Sequence, residues 1–367
     1  MVRVEQGRDP GPASLTGHAT MKAGLVGLTA SGKSTLFRAI TGSDGSGDPL
    51  RTVEVPDARV ARLSEIYSPK KTTYARFECH DTPGVGSDER QEARLFAQLR
   101  EMDAVALVIR GFENSAWPYD RPEIDVAADL EHVVSSFQVA DFVMVESRVE
   151  KLEKQVTKPT KTQEQDKKEL ALLLRLKDVL ESGGKIEDAE LSSIEEETIR
   201  GFRFLTQKPV LVILNLPDDG AGEEALRLAI PDGYPRVVAI RGEIEAEIAT
   251  LEGDDAAEFM QDYGITETAR DRLIAGLYDL LGLQSFLTAG EDECRAWTIK
   301  KGESAVEAAG TIHSDIQRGF IRAEVIPFQD LAAAGGFKEA KAAGHMRLEG
   351  KEYAIQDGEV INFRFSV

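Results

Sequence analysis

Three runs of apolar residues stand out along a largely polar chain: Ala23 to Val26, Ala104 to Ile109 and Val210 to Leu214, each followed by polar or turn-forming residues. Continuous apolarity, rather than alternation, is what strands covered on both faces require, so the runs predict buried strands of an open α/β sheet. The first leads into a glycine-rich turn and the helix-compatible run Thr35 to Ile40, in the order strand, loop, helix. Between the second and third runs the texture changes. From Phe137 to about Arg200 the chain is charged and helix-prone, and Val145, Val149, Leu152 and Val156 recur every three or four residues. Pro159 and the Gly183-Gly184 pair interrupt it, so the spacing predicts a paired helical arm rather than one straight helix. Its apolar stripe reads as simply packing the arm; an exposed face that binds a dedicated partner is the alternative.

A third texture begins near residue 285. Arg295 to Ile299 and Phe320 to Ile326 read as strands, and Ser304 and Glu307 have capping-box spacing before a short helix. Glu352 to Ile355 and Val360 to Phe365 flank Gln356 to Glu359 like the arms of a hairpin. Together they predict a mixed α/β domain of about 80 residues without a catalytic cluster of its own. Residues 1–20, with Gly7, Pro10, Gly11 and Pro12, read as a flexible leader. The expected division is therefore leader 1–20, an α/β domain of 21–136 with 201–284, arm 137–200, and C-terminal domain 285–367.

A chain of 367 residues has room for two or three such domains. Its 44 Lys and Arg against 64 Asp and Glu give a formal charge of -20, which excludes indiscriminate nucleic-acid adhesion and leaves any such contact to a local surface. Two cysteines, Cys79 and Cys294, are too few for a disulfide scaffold or an all-cysteine zinc site. No apolar run approaches the roughly 20 residues of a membrane-spanning helix, and the polar start is unlike a secretory signal. A cytoplasmic protein without membrane association is the expectation.

The sharpest chemical signal is Gly27-Leu28-Thr29-Ala30-Ser31-Gly32-Lys33-Ser34, a complete GxxxxGK[ST] sequence between the predicted strand and helix. Glycine lets such a loop curl until its amides converge on phosphate oxygens, the lysine reaches the β and γ phosphates, and the serine hydroxyl meets Mg²⁺. Ala30, Ser31 and Thr35 complete the binding segment. Downstream, Asp81-Thr82-Pro83-Gly84 offers a carboxylate to the magnesium shell and a glycine amide to the γ phosphate; an Asx-Pro-Gly turn is the structural alternative. Lys33, Asp81 and Gly84 are thus the catalytic candidates, with Ser34 and Asp81 as metal ligands. His80 points to the strand face opposite Asp81 and reads as a packing or surface residue, Cys79 as a small buried one. Asn215-Leu216-Pro217-Asp218 follows the third run: Asn215 can brace the phosphate side or meet the base, and the Asp218 carboxylate matches the paired donors of guanine, although these residue types also make turns.

With these motifs, the segments VEVPDARVARLSEIYSPKKT, GEIEAEIATL, DECRAWTIKKGESAVEAAGTIHSDIQRGFIRAEVI and LEGKEYAIQDGEVINFRFSV give residues 21–367 a resemblance to the Obg-like ATPases, a branch of the translation-factor-related P-loop proteins. The resemblance implies an α/β P-loop NTPase domain, an inserted helical coiled-coil arm and a C-terminal β-grasp TGS domain, the last two meeting the ribosome or a ribosome-associated protein. It implies a Mg²⁺-dependent NTPase that binds ATP or GTP through Gly27, Gly32, Lys33 and Ser34, with Asp81 and Gly84 sensing Mg²⁺ and the γ phosphate. Whole-chain likeness favours ATP. Asp218, where the family commonly has glutamate, keeps GTP open, whereas Leu216 in place of the lysine of true GTPases and Arg241-Gly242 in place of the base-framing serine-alanine depart from the GTPase pattern. The first switch is compressed between Ile40 and Val53, with Thr41 and Thr52 as substitutes for the family's Mg²⁺-contacting threonine, and the second is shortened between Val85 and the helix near Leu95. Ala30 replaces an asparagine often found in the loop. Val85 stands where many small GTPases use glutamine to orient water, so hydrolysis would call on backbone groups, another switch residue or a partner.

Three functions compete: slow hydrolysis of a purine nucleoside triphosphate coupled to ribosome-associated or stress-related regulation, nucleotide-responsive binding with little turnover, and a ribosomal adaptor whose nucleotide domain is structural.

Overall fold

The computed structural model describes residues 21–43, 48–86, 88–117, 119, 123–234 and 236–366. The leader over 1–20 and the centre of the compressed first switch, 44–47, lie outside the described residues. The strands, in chain order, are β1 (Met21–Val26), β2 (Leu50–Val55), β3 (Lys71–Thr73), β4 (Ala75–Asp81), β5 (Ala104–Arg110), β6 (Val210–Asn215), β7 (Val237–Ile240), β8 (Leu283–Thr288), β9 (Glu293–Lys300), β10 (Phe320–Pro327), β11 (Arg347–Glu349) and β12 (Glu359–Phe365). The helices that matter below are α1 (Lys33–Thr41), α2 (Ala58–Tyr67), α3 (Glu89–Arg100), α4 (Val126–Gln155) and α5 (Gln163–Glu181). The chain forms two compact units, one of 22–55 with 76–282 and one of 56–75 with 283–367.

The larger unit is built on a six-stranded sheet in the order β2-β4-β1-β5-β6-β7. β1, β5, β6 and β7 run parallel as neighbours. β5 is buried at every position, as its unbroken apolar run demands. The loop between β1 and α1 leaves the carboxyl end of a central strand, the edge at which open α/β sheets take ligands.

The arm begins earlier than its charged texture suggests. α4 starts at Val126, capped by Asp125, whose carboxylate accepts the Ala128 amide at 2.9 Å. Its first half buries Val126, Leu130, Val133 and Phe137 in the core of the sheet. Its second half packs Val145, Val149 and Leu152 against Leu172, Leu173, Leu176 and Leu180 of α5. One helix thus covers the sheet with its first half and builds the arm with its second, and the expected boundary near Phe137 falls within it. Pro159 lies in the turn between the two helices, and Gly183, at φ 82°, follows α5.

The second unit carries a six-stranded sheet in the order β11-β10-β12-β8-β9-β3. β10 pairs antiparallel with β11 and β12, β8 antiparallel with β9, and β12 parallel with β8. Its edge strand comes from far away in sequence: β3 runs parallel to β9, with Lys71 opposite Glu293 and Thr73 opposite Arg295. The Ser304–Glu307 capping box forms, the Ser304 amide donating to Glu307 at 2.9 Å. The hairpin expected over Glu352 to Phe365 does not. β12 takes β10 as its antiparallel partner, and Ala354 makes an isolated bridge to Ser304. The backbone of the expected first arm is satisfied elsewhere: the Tyr353 carbonyl accepts the Ala305 amide at 2.8 Å, the Ile355 amide donates to Glu303 at 3.2 Å, and the Ile355 carbonyl accepts Gln284 Nε2 at 2.6 Å. Among the described residues no helix is long and apolar enough to cross a membrane.

Candidate functional site

The loop from Gly27 to Gly32 turns through two left-handed residues, Ala30 at φ 60° and Gly32 at φ 91°. Gly32 caps α1, whose first amides have no partner within the helix. Neighbours demand the glycines. A Cβ on Gly27 would lie 2.3 Å from the Val108 carbonyl oxygen. Lys33 is buried and folds back, its Nζ donating to the carbonyls of Gly27 at 3.1 Å and Leu28 at 2.8 Å.

Burial holds the Lys33 pKa down at about 8, against the pull of the Asp81 charge. Asp81, at the end of β4, is pushed upward by the same burial, while a hydrogen bond from Ser34 and the charge of Lys33 draw it back. The tertiary fold therefore brings Lys33, Ser34 and Asp81 together. Asp81 Oδ1 and Ser31 Oγ are buried without a hydrogen-bond partner, an arrangement that points to a ligand able to satisfy them.

Gly84 meets the loop from the other side: a Cβ there would lie 2.7 Å from Thr29 Oγ1 and 2.9 Å from the Thr29 amide nitrogen. The Val85 amide donates to the Gly27 carbonyl at 3.0 Å, and its side chain is buried in the core of the sheet. His80 is half-buried with its Nε2 3.6 Å from Glu78, and Cys79 is fully buried with its thiol pKa pushed up.

Asn215 ties the loop to the far side of the sheet. Its Nδ2 donates to the Ser31 carbonyl and its Oδ1 accepts the Gly242 amide, each at 3.1 Å. Thr35 sits in the first turn of α1, where its hydroxyl accepts from Arg38 at 3.4 Å. Asp218 is exposed and outside this network; its carbonyl lies 3.5 Å from Arg241, which also donates to the Tyr263 carbonyl at 2.7 Å. Thr41 donates to the Phe37 carbonyl within α1, and Thr52 is exposed on β2. Sequence reasoning misses Arg110, which ends β5 and donates to the Ala30 carbonyl at 2.8 Å. The available signal was a charged residue closing an otherwise apolar strand.

A parallel sheet whose first strand runs through a GxxxxGKS loop into α1, with Lys33, Ser34 and Asp81 converging at its edge, defines a P-loop NTPase. The family model described as "50S ribosome-binding GTPase" matches residues 22–174, and the model YchF-GTPase_C, described as "Protein of unknown function (DUF933)", matches residues 283–366. The chain is 38% identical over 368 residues to the Ribosome-binding ATPase YchF of Bacillus subtilis (strain 168), covering 95% of this chain and 100% of that one. It is 36% identical over 364 residues to the protein of the same name from Escherichia coli O157:H7, with 94% and 99% covered. The solved structure of the Schizosaccharomyces pombe YchF GTPase is similar with a TM-score of 0.78 at 27% identity, over 95% of this chain and 99% of that one. The chain belongs to the YchF family of P-loop NTPases.

Proposed function

We propose that this chain binds and slowly hydrolyses a purine nucleoside triphosphate, favouring ATP, and that its nucleotide state regulates ribosome association in the cytoplasm. The observation that carries the reading is the convergence of Lys33, Ser34 and Asp81 at a loop where Asp81 Oδ1 and Ser31 Oγ are buried and unpartnered. Lys33 would exchange the carbonyls of Gly27 and Leu28 for β- and γ-phosphate oxygens, and the anion would restore its full charge. Gly27, Ala30, Ser31, Gly32 and Thr35 would line the phosphates, with the Gly84 amide toward the γ position. Ser34 and Asp81 would hold Mg²⁺, which when bound neutralises charge on the phosphate oxygens. Two protein oxygens suit an ion that keeps phosphate and water in most of its shell. Among the described residues no group of three His, Cys, Asp or Glu could hold a metal by itself.

Val85 is buried and apolar, so slow turnover is expected until a backbone group or partner orients the water. Asn215 and Asp218 are the proposed base-side residues. The Bacillus and Escherichia relatives are named ATPases and the Schizosaccharomyces one a GTPase, which supports ATP and keeps GTP as the alternative. The first two are also named ribosome-binding. The α4–α5 arm and the C-terminal unit, read as a TGS β-grasp domain, are the surfaces proposed for that contact. A chain of charge -20 would need such a localised surface.

Parallel binding and phosphate-release measurements with ATP and GTP, with and without ribosomes, test the reading. Release that rises with ribosomes and is lost in Lys33→Ala is expected. Binding without release from either nucleotide would instead favour a nucleotide-responsive binding protein, for which the burial of Val85 speaks. Equal ribosome affinity in nucleotide-free, diphosphate and nonhydrolysable-triphosphate samples would overturn the regulatory role in both.

A further inference from the structure

Arg110 is a buried cation that the chemistry above does not use. Its side chain donates to three main-chain carbonyls, those of Ala30 at 2.8 Å, Phe112 at 2.9 Å and Trp117 at 3.0 Å, and the residue is 2% exposed. The ring centres of Phe112 and Tyr119 lie 4.4 and 4.9 Å from its guanidinium carbon. The Tyr119 hydroxyl donates to Asp129, which is buried in the first turn of the 30-residue helix α4. An unbroken set of contacts therefore runs from the phosphate loop to the root of the arm helix.

A guanidinium stays charged, and burying it is costly unless hydrogen bonds and nearby electron-rich groups compensate. Three carbonyls and two ring faces do so here. Arginine is suited to this because its planar fork reaches acceptors in several directions, whereas an ammonium is a point charge. The carbonyl it grips belongs to Ala30, whose φ of 60° is unfavourable for a residue with a Cβ and persists only where the surroundings enforce it. The Ala30 carbonyl and the Ser31 amide form one planar peptide, so a hand on the carbonyl sets the direction of the amide.

We propose that Arg110 is a positioning residue of the phosphate loop and, through Tyr119 and Asp129, transmits occupancy of that loop to the root of α4. The proposal rests on the loop's being a nucleotide site. An anion drawn to the loop amides pulls on the same peptide that Arg110 holds from its carbonyl side. Movement of the guanidinium then alters the ring packing on Tyr119 and the hold of Tyr119 on Asp129.

The full-length chain, Arg110→Lys and Tyr119→Phe are compared by calorimetric titration with Mg²⁺–ATP and Mg²⁺–GTP and by hydrogen exchange over residues 126–137. Nucleotide is expected to slow exchange there in the unaltered chain, and R110K to weaken triphosphate binding about tenfold. Y119F is expected to bind within about twofold of the unaltered chain yet lose the exchange response, which a purely structural role for Tyr119 would leave in place. A full exchange response in Y119F overturns the proposal, as does normal binding by R110K. If the unaltered chain binds triphosphate with no change over 126–137, the relay fails while the nucleotide reading stands; if it binds neither nucleotide, both fall. Should R110K not fold, Y119F decides alone.

Discussion

Asn215 fills the space that a side chain on Gly32 would need: a Cβ there would lie 2.0 Å from Asn215 Nδ2. The φ of 91° at Gly32 makes the same demand through the backbone. Gly32→Ala is therefore expected to displace the loop and abolish triphosphate binding. Asn215→Ala would leave the Ser31 carbonyl and the Gly242 amide unpaired at a buried site, at a cost of about 2–4 kcal/mol in stability. Urea denaturation and nucleotide titration of the two variants check these outcomes.

Lys33 makes stability depend on pH. Its folded pKa of about 8 lies below its ordinary value of 10.5, so within that window the unfolded chain holds a proton that the folded chain has released. Stability should rise with pH there, by about 1.4 kcal/mol per unit, while below the window the penalty of burying the charge is present in full. Subtracting the unfolding free energies of Lys33→Met from those of the unaltered chain across this range isolates the rise. A flat difference would show that the amine titrates normally.

Asp218 governs the choice of base in the proposed reading. It is exposed, so lengthening it by one methylene should leave the fold intact. Asp218→Glu is expected to shift the ratio of ATP to GTP affinity toward ATP by about tenfold, a change of about 1.4 kcal/mol. Competition binding reads the ratio directly, and an unchanged ratio removes Asp218 from base recognition.

Truncation after Gly282 should fail for a reason internal to the second unit. Val60 and Leu63 of α2 are both 0% exposed. Arg59 pairs with Asp357 at 2.7 Å, the Tyr67 hydroxyl accepts the Phe337 amide at 2.6 Å, and β3 has β9 as its ladder partner. Deleting residues 283–367 removes these partners from α2 and β3. Size-exclusion chromatography and dye binding are expected to report an aggregating fragment with exposed apolar surface. A compact, monomeric fragment would show that α2 and β3 find other cover. Surface substitutions in the full chain are accordingly the sounder way to probe ribosome contact by this unit.

The features legible in the sequence are those set by neighbours in the chain. β5 and β6 are announced by unbroken apolar runs, the Ser304–Glu307 box by a spacing of three, and the phosphate loop by glycine, lysine and serine between a strand and a helix. The start of α4 was hidden because Val126, Leu130, Val133 and Phe137 cover the sheet core without the charged texture of the arm. The C-terminal hairpin failed for the complementary reason: two β-prone runs near each other pair only when no other element makes a better offer, and β10 does.

By itself the sequence determined the P-loop, the parallel α/β setting around it, the helical insertion and the presence of a separate C-terminal β unit, because each depends on residue type and short spacing. Only the tertiary structure decided that Asn215 and Arg110 brace the loop, that Asp81 meets Ser34 and Lys33, that Val85 turns into the core, and that residues 56–75 complete the second sheet. These are pairings between residues tens to hundreds of positions apart. They are selected by what packs and what satisfies buried polar groups, and local sequence carries no record of that competition.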